Sequence, residues 1–323
     1  MRYDTADRQS ENVEDRRGRG GGPFFPGGRM FPRPGGGGVI IPMGGGGRGL
    51  GLGWLLVIGI GCLLLGINPL RLLTGGGLTM PDMPRPSANG PSVPQTQGLP
   101  GQPGVGGSTD DMAKFVRHVL ADNEDVWSRV FKAAGKHYQP PTLVLFSGAT
   151  PTACGPGESA MGPFYCPLDQ KVYVDLSFYD FMKRRFGASG DFAQAYVIAH
   201  EIGHHVQNLL GIANAVQQAK MQAGSEAQAN QLQVRMELQA DCLAGVWASL
   251  NEQVKSRLEH GDIEEGLKAA AAIGDDMIQR RTQGYVVPDA FTHGSSEQRV
   301  RWFRRGLETG QVKACDTFSA QQL

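Results

Sequence analysis

The chain has 323 residues, a formal net charge of zero and only 8% aromatic residues, with 47 Gly and 20 Pro. A zero net charge gives no argument for a nucleic-acid or acidic-substrate partner. The local basic clusters at Arg16, Arg17 and Arg19 and at Arg299, Arg301, Arg304 and Arg305 read as solvated faces, and no nucleic-acid partner is expected. Gly and Pro crowd the first 107 residues, which leaves too little apolar surface there to offset the entropy of ordering.

Residues 1–48 read as a disordered Gly/Arg-rich tail. Leu50–Ile67, LGLGWLLVIGIGCLLLGI, contains no charge. As a helix it spans about 27 Å, enough for a bilayer core, so residues 49–67 are expected to form a transmembrane signal anchor. Arg29, Arg33 and Arg48 precede it and Arg71 and Arg85 follow it. By the positive-inside rule the N-terminus is cytoplasmic, and the rest lies in the periplasm or outside the cell. This is the topology of a single-pass protein of the inner membrane. Residues 68–107, rich in Pro, Gly, Ser and Gln, read as a flexible linker.

The folded domain is expected over 108–323, with Ser108 or Thr109 capping a first helix. Met112, Phe115, Val116, Val119 and Leu120 recur at helical spacing, and Val126, Trp127, Val130 and Phe131 resume it after a polar interruption. TLVLFS (142–147) and KVYVDLSF (171–178) are strand candidates. The second places Val172, Val174 and Leu176 on one side and could be either an edge strand for a peptide or a buried one. Cys154–Pro167 reads as an ordered loop. Helices are expected over Asp191–Gly211, Glu226–Leu250, Ile263–Arg281 and Ser295–Leu307, the last opening with the capping-box pair Ser295 and Gln298. This order predicts an α+β, mostly helical domain with a small sheet.

DFAQAYVIAHEIGHHVQNLLG (191–211) carries the chemistry. Asp191 is a plausible cap and Gly211 a plausible stop. His200 and His204 are four residues apart and share one helical face, the spacing that holds a single Zn²⁺. Glu201 stands beside the first ligand, placed to serve a zinc-activated water as general base. His205 points about 100° away and reads as a packing or surface residue. A third ligand is needed, and MELQADCLAGVWA offers Glu237 and Asp241 one turn apart. One carboxylate would bind the metal and the other would accept the N–H of a ligating histidine.

The segments AHEIGHHVQNLLG, ELQADCLAGVWA, GPFYCPLDQKVYVDLSFY, NVEDRRG and FTHGSSEQRVRWFRRGLETG together resemble the bacterial neutral zinc metallopeptidase family. The HExxH…ExxxD arrangement is also similar to that of the membrane-associated gluzincin peptidases. The resemblance implies a zincin-like fold with one Zn²⁺ per chain held by His200, His204 and Glu237, Asp241 supporting a histidine, and a peptide or protein substrate. It also implies a role for His293, which matches the histidine of a Thr-His-Pro…Arg segment, with Gly294 in place of the Pro. His293 precedes the capping Ser295 by two residues and would reach from a loop to stabilise an oxyanion. The expected activity is that of a membrane-anchored zinc peptidase. The alternative is a tethered zinc-binding structural or interaction protein. Cys62 falls in the apolar span. The other four cysteines allow three pairings, and Cys154 with Cys166, bracketing one short loop, leaves Cys242 with Cys315.

Overall fold

The computed structural model describes residues 1–18, 106–186 and 190–323. The expected tail beyond residue 18, the apolar span 49–67 with Cys62, and the linker up to residue 105 lie outside the described residues. Among the described residues no helix is long and apolar enough to cross a membrane.

The chain order is β1 (Val13–Asp15), α1 (Gly106–Ala133), β2 (Thr142–Phe146), β3 (Ala149–Thr152), β4 (Gly155–Glu158), β5 (Phe164–Cys166), β6 (Lys171–Asp175), α2 (Ser177–Phe186), α3 (Asp191–Leu209), α4 (Ile212–Met221), α5 (Glu226–Lys255), α6 (Asp262–Ala272), α7 (Asp275–Gln283) and α8 (Ser296–Thr309). This is a helix-rich α+β fold. Its main sheet runs β1-β2-β6-β5, with β1, β2 and β6 parallel and β5 antiparallel. Leu143, Leu145, Val172 and Val174 point into the helical core. Val144, Phe146 and Tyr173 face the other way, where Cys166, Cys154 and Phe164 cover them. The Lys171–Asp175 strand is therefore interior, and β1 and β5 are the edge strands. The stretch expected as a plain loop over 154–167 holds β4 of the β3–β4 hairpin and β5 itself.

The expectation of a structureless N-terminal tail fails for residues 1–18. Val13–Asp15 extends the sheet beside Leu143–Leu145. Asp7 takes a two-pronged ion pair from Arg257 at 2.6 and 2.7 Å, and Ser10 and Asn12 both donate to the buried Glu124. These contacts explain the polar interruption in α1. Asp122 and Glu124 are buried because Tyr3, Asn251, Lys255 and Arg257 satisfy the first, and Arg8, Ser10 and Asn12 the second.

Helix α1 begins at Gly106, ahead of the expected caps. Asp191 is the first residue of α3 and not its cap, and its carboxylate binds the Met1 amine at 2.7 Å. The single helix expected over Ile263–Arg281 breaks at Ile273–Gly274 into α6 and α7. A Cβ on Gly274 would lie 2.3 Å from the Ser296 nitrogen, so the break lets the start of α8 come in close. The capping box at Ser295 and Gln298 forms as expected. Helices α3 and α5 cross at Gly203, where an added Cβ would meet the Ala240 backbone at 3.1 Å. Gly203 lies between His200 and His204, and Ala240 between Glu237 and Asp241. That close crossing brings the two motifs face to face.

Candidate metal centre

His200, His204 and Glu237 each place one ligand atom within 4.8 Å of the others. The Glu237 Oε2 lies 3.3 Å from His200 Nε2 and 3.5 Å from His204 Nε2. Both imidazoles are turned by carboxyl or amide oxygens behind them. His200 Nδ1 donates to Asp241 Oδ1 at 2.8 Å, and His204 Nδ1 donates to Gln207 Oε1 at 2.9 Å. Gln207 is oriented in turn, because its amide nitrogen donates to the Met236 carbonyl at 2.7 Å. Each Nε2 lone pair is thus left for a cation. Gln233 donates to Glu237 Oε1 at 2.9 Å, which leaves Oε2 on the same cation side. Two imidazoles and a carboxylate opening on a cavity make the donor set of a catalytic zinc site, so the residues fit an ion that displaces the imidazole protons.

Asp241 is fully buried. Arg299 grips it through Nε to Oδ2 at 2.9 Å and Nη2 to Oδ1 at 2.8 Å, and the Tyr196 hydroxyl donates to Oδ1. Burial pushes the Asp241 carboxyl up, but Arg299 and His200 outweigh it and hold it below the ordinary range. Asp241 is therefore an acceptor for His200 and the charge partner of Arg299, and Glu237 is the carboxylate that faces both Nε2 atoms. Burial likewise pulls His200 down, yet Asp241 and Glu237 raise it to about 9 without a metal. Glu201 is buried, and burial pushes its carboxyl above the ordinary value against the opposing pull of His200 and His204.

His200, His204, Glu237, Glu201 and His293 border one cavity of about 420 Å³. His293 is held from α7: Asp275 Oδ2 accepts the backbone N–H groups of Thr292, His293 and Gly294 at 2.7, 2.6 and 3.0 Å. Asp275 Oδ1 lies 3.1 Å from His293 Nδ1. Gly294 has φ +90, a left-handed conformation closed to proline, which accounts for the departure from the Thr-His-Pro pattern. His205 is a packing residue, buried between the Gln139 carbonyl at 2.7 Å and the Tyr165 hydroxyl at 3.0 Å.

Sequence reasoning missed Gln207, Asp275 and Arg299. The basic cluster in the sequence places Arg299 on a solvated face, yet it is buried on the stripe of Trp302, Phe303 and Gly306. That helical spacing was visible in the sequence. Gln207, three residues after His204, was also within reach of a spacing argument. Asp275 was not, because the contact spans a break between helices.

Both disulfides form, Cys154–Cys166 and Cys242–Cys315. The second closes a 73-residue separation beside Asp241. Replacing Cys242 and Cys315 together by Ser should lower stability by about 2–5 kcal/mol, read from the urea midpoint of the oxidised protein.

A family model described as "Putative neutral zinc metallopeptidase" matches residues 1–318. The uncharacterized protein YpfJ of Escherichia coli is 47% identical over 311 residues, 96% of each chain. The uncharacterized protein Rv2575 of Mycobacterium tuberculosis is 45% identical over 224 residues, covering 66% of this chain and 74% of that one. No solved structure matches the chain. With the family match spanning nearly the whole sequence and the His200, His204 and Glu237 cluster in place, this chain belongs to the neutral zinc metallopeptidase family.

Proposed function

We propose that the chain is a zinc-dependent peptidase with a zincin-like site and one zinc ion per chain. The observation that supports it best is the convergence of His200, His204 and Glu237 at a cavity that also holds Glu201 and His293. A zinc ion held by these three residues would supply a Lewis acid for a peptide carbonyl and lower the pKa of a water towards about 7.

Glu201, next to the first ligand, takes the proton of the attacking water and returns it to the leaving amine. His293, oriented through Nδ1 by Asp275, presents Nε2 as a donor to the developing oxyanion. Phe164 and Tyr165 of the edge strand β5 border the same cavity, so an extended peptide can add to that edge by main-chain hydrogen bonds. A zinc site of purely structural use usually has four protein ligands and no base beside it.

The test is peptide hydrolysis by the full chain: chelation should abolish it and added zinc restore it. Activity that survives complete zinc removal, or no activity in a zinc-loaded protein across a broad peptide pool, would refute the proposal. His293→Ala should keep zinc and fold while kcat falls about 10²–10³-fold, the range for one oxyanion donor. An unchanged kcat would remove His293 from the mechanism.

A further inference from the structure

We propose that the cavity selects peptides with a large apolar side chain next to the bond that is cut, a proposal that rests on the peptidase reading. Away from the ligands, its wall is built from Met161, Phe164, Phe178, Phe181, Val197 and Ile278. The rings are seated by two glycines. A Cβ on Gly157 would lie 2.5 Å from the Phe164 ring, and one on Gly162, at φ +74, would lie 3.1 Å from Phe178. The Cys154–Cys166 disulfide ties the hairpin that carries Gly157 to the end of β5.

Every charged group on the wall already has a task. His200, His204 and Glu237 form the ligand set, Glu201 stands beside them, and Asp275 holds His293. Arg299 is spent on Asp241 and on the Ile273 carbonyl at 3.2 Å. Among the described residues of the wall no basic side chain is left to meet an acidic one, whereas an aromatic or long aliphatic one would bury its surface against three phenylalanines.

Peptides that differ only by Phe, Ala or Asp at the residues flanking the scissile bond test this. The Phe peptide should exceed Ala and Asp by about 10–100-fold in kcat/KM, the fold-change expected from burying one such side chain. Hydroxamates bearing benzyl, methyl or carboxymethyl groups should rank alike in calorimetric affinity for the zinc-loaded protein. Ile278→Arg should shift the preference towards Asp by at least about tenfold. Phe178→Ala, the milder change, should reduce the Phe/Ala ratio while keeping the circular dichroism spectrum. Equal cleavage of the three peptides, or equal hydroxamate affinities, overturns the proposal. Ranked hydroxamate binding without any cleavage would instead count against the peptidase reading and leave the pocket intact.

A separate set of contacts carries a second inference. Residues 1–18 are part of the same folded body as the metal site. Besides the β1–β2 pairing and the Asp7–Arg257 pair, Arg257 lies over the Tyr3 ring at 4.6 Å from its centroid. Arg16 bonds the Leu145 carbonyl through its N–H at 2.7 Å and reaches Thr150 and Pro151 of the hairpin at 3.0 and 3.1 Å. Removing this segment would strip partners from the buried carboxylates of Asp122 and Glu124, a heavy penalty. We infer that residues 1–18 and the metal-bearing domain lie on the same side of any bilayer the protein meets. The opposite-sided topology expected from the arginine distribution is incompatible with this docking.

Impermeant maleimide labelling of full-length protein in intact cells tests it, in a Cys62→Ala background with Glu11→Cys or Glu226→Cys, both exposed positions. The two sites should label alike before lysis and both label after it. Labelling of one without the other in intact cells overturns the inference. Asp7→Lys, which sets a like charge against Arg257, should increase proteolytic nicking of the segment. Unchanged nicking in Asp7→Lys would show that the segment does not dock.

Discussion

Glu201→Gln should leave zinc content unchanged and lower kcat by about 10²–10⁴-fold, the usual contribution of a general acid–base group. The amide is nearly isosteric and keeps the side chain in its buried place, so the three metal donors and Gly203 are undisturbed. What it cannot do is take a proton. Under the proposed mechanism the substitution removes the proton carrier and not a binding contact, so KM should change much less than kcat. Zinc by elemental analysis, a melting curve and steady-state hydrolysis of one peptide decide it. Full activity in a zinc-replete Glu201→Gln protein would mean that another group moves the proton.

The second large effect separates the two carboxylates of α5. Glu237→Ala removes one of three metal donors and should abolish zinc retention after dialysis, and hydrolysis with it. Asp241→Asn is gentler in shape but leaves Arg299 buried without its anionic partner, and it no longer offers His200 a carboxylate. Zinc affinity or activity should fall about 10–100-fold, together with a loss of stability that Glu237→Ala does not share. Competition against a chelator of known affinity measures the first quantity and urea denaturation the second. If Asp241→Asn released the metal while Glu237→Ala held it, the assignments of ligand and support would be reversed.

Physical range explains which parts of the structure were legible beforehand. The helix of His200, Glu201 and His204 was readable because its spacing is local and its flanks are apolar. The capping box at Ser295 and the pairing of Cys154 with Cys166 are local too. The N-terminal strand was not readable: Val13–Asp15 is short and mostly charged, and it is held by pairing with Leu143–Leu145 and by Lys171 on Glu14, while Asp7 and Arg8 before it are paired to residues far along the chain. The break at Ile273–Gly274 carries only the weak local signal of Gly274 and Asp275, because what demands it is the backbone of Ser296.

By itself the sequence determined the donor types, their i and i+4 spacing, the base next to the first ligand and a second motif with two carboxylates one turn apart. Helical geometry makes those relations true of any fold in which the two helices form. Only the tertiary structure decided which carboxylate faces the two imidazoles. That choice follows from the close crossing of α3 and α5 at Gly203 and from Arg299, whose charge is neutralised by Asp241 and which leaves Glu237 to the two imidazoles. It also decided the places of Asp275 and of residues 1–18, because each depends on contacts between segments that no local pattern connects.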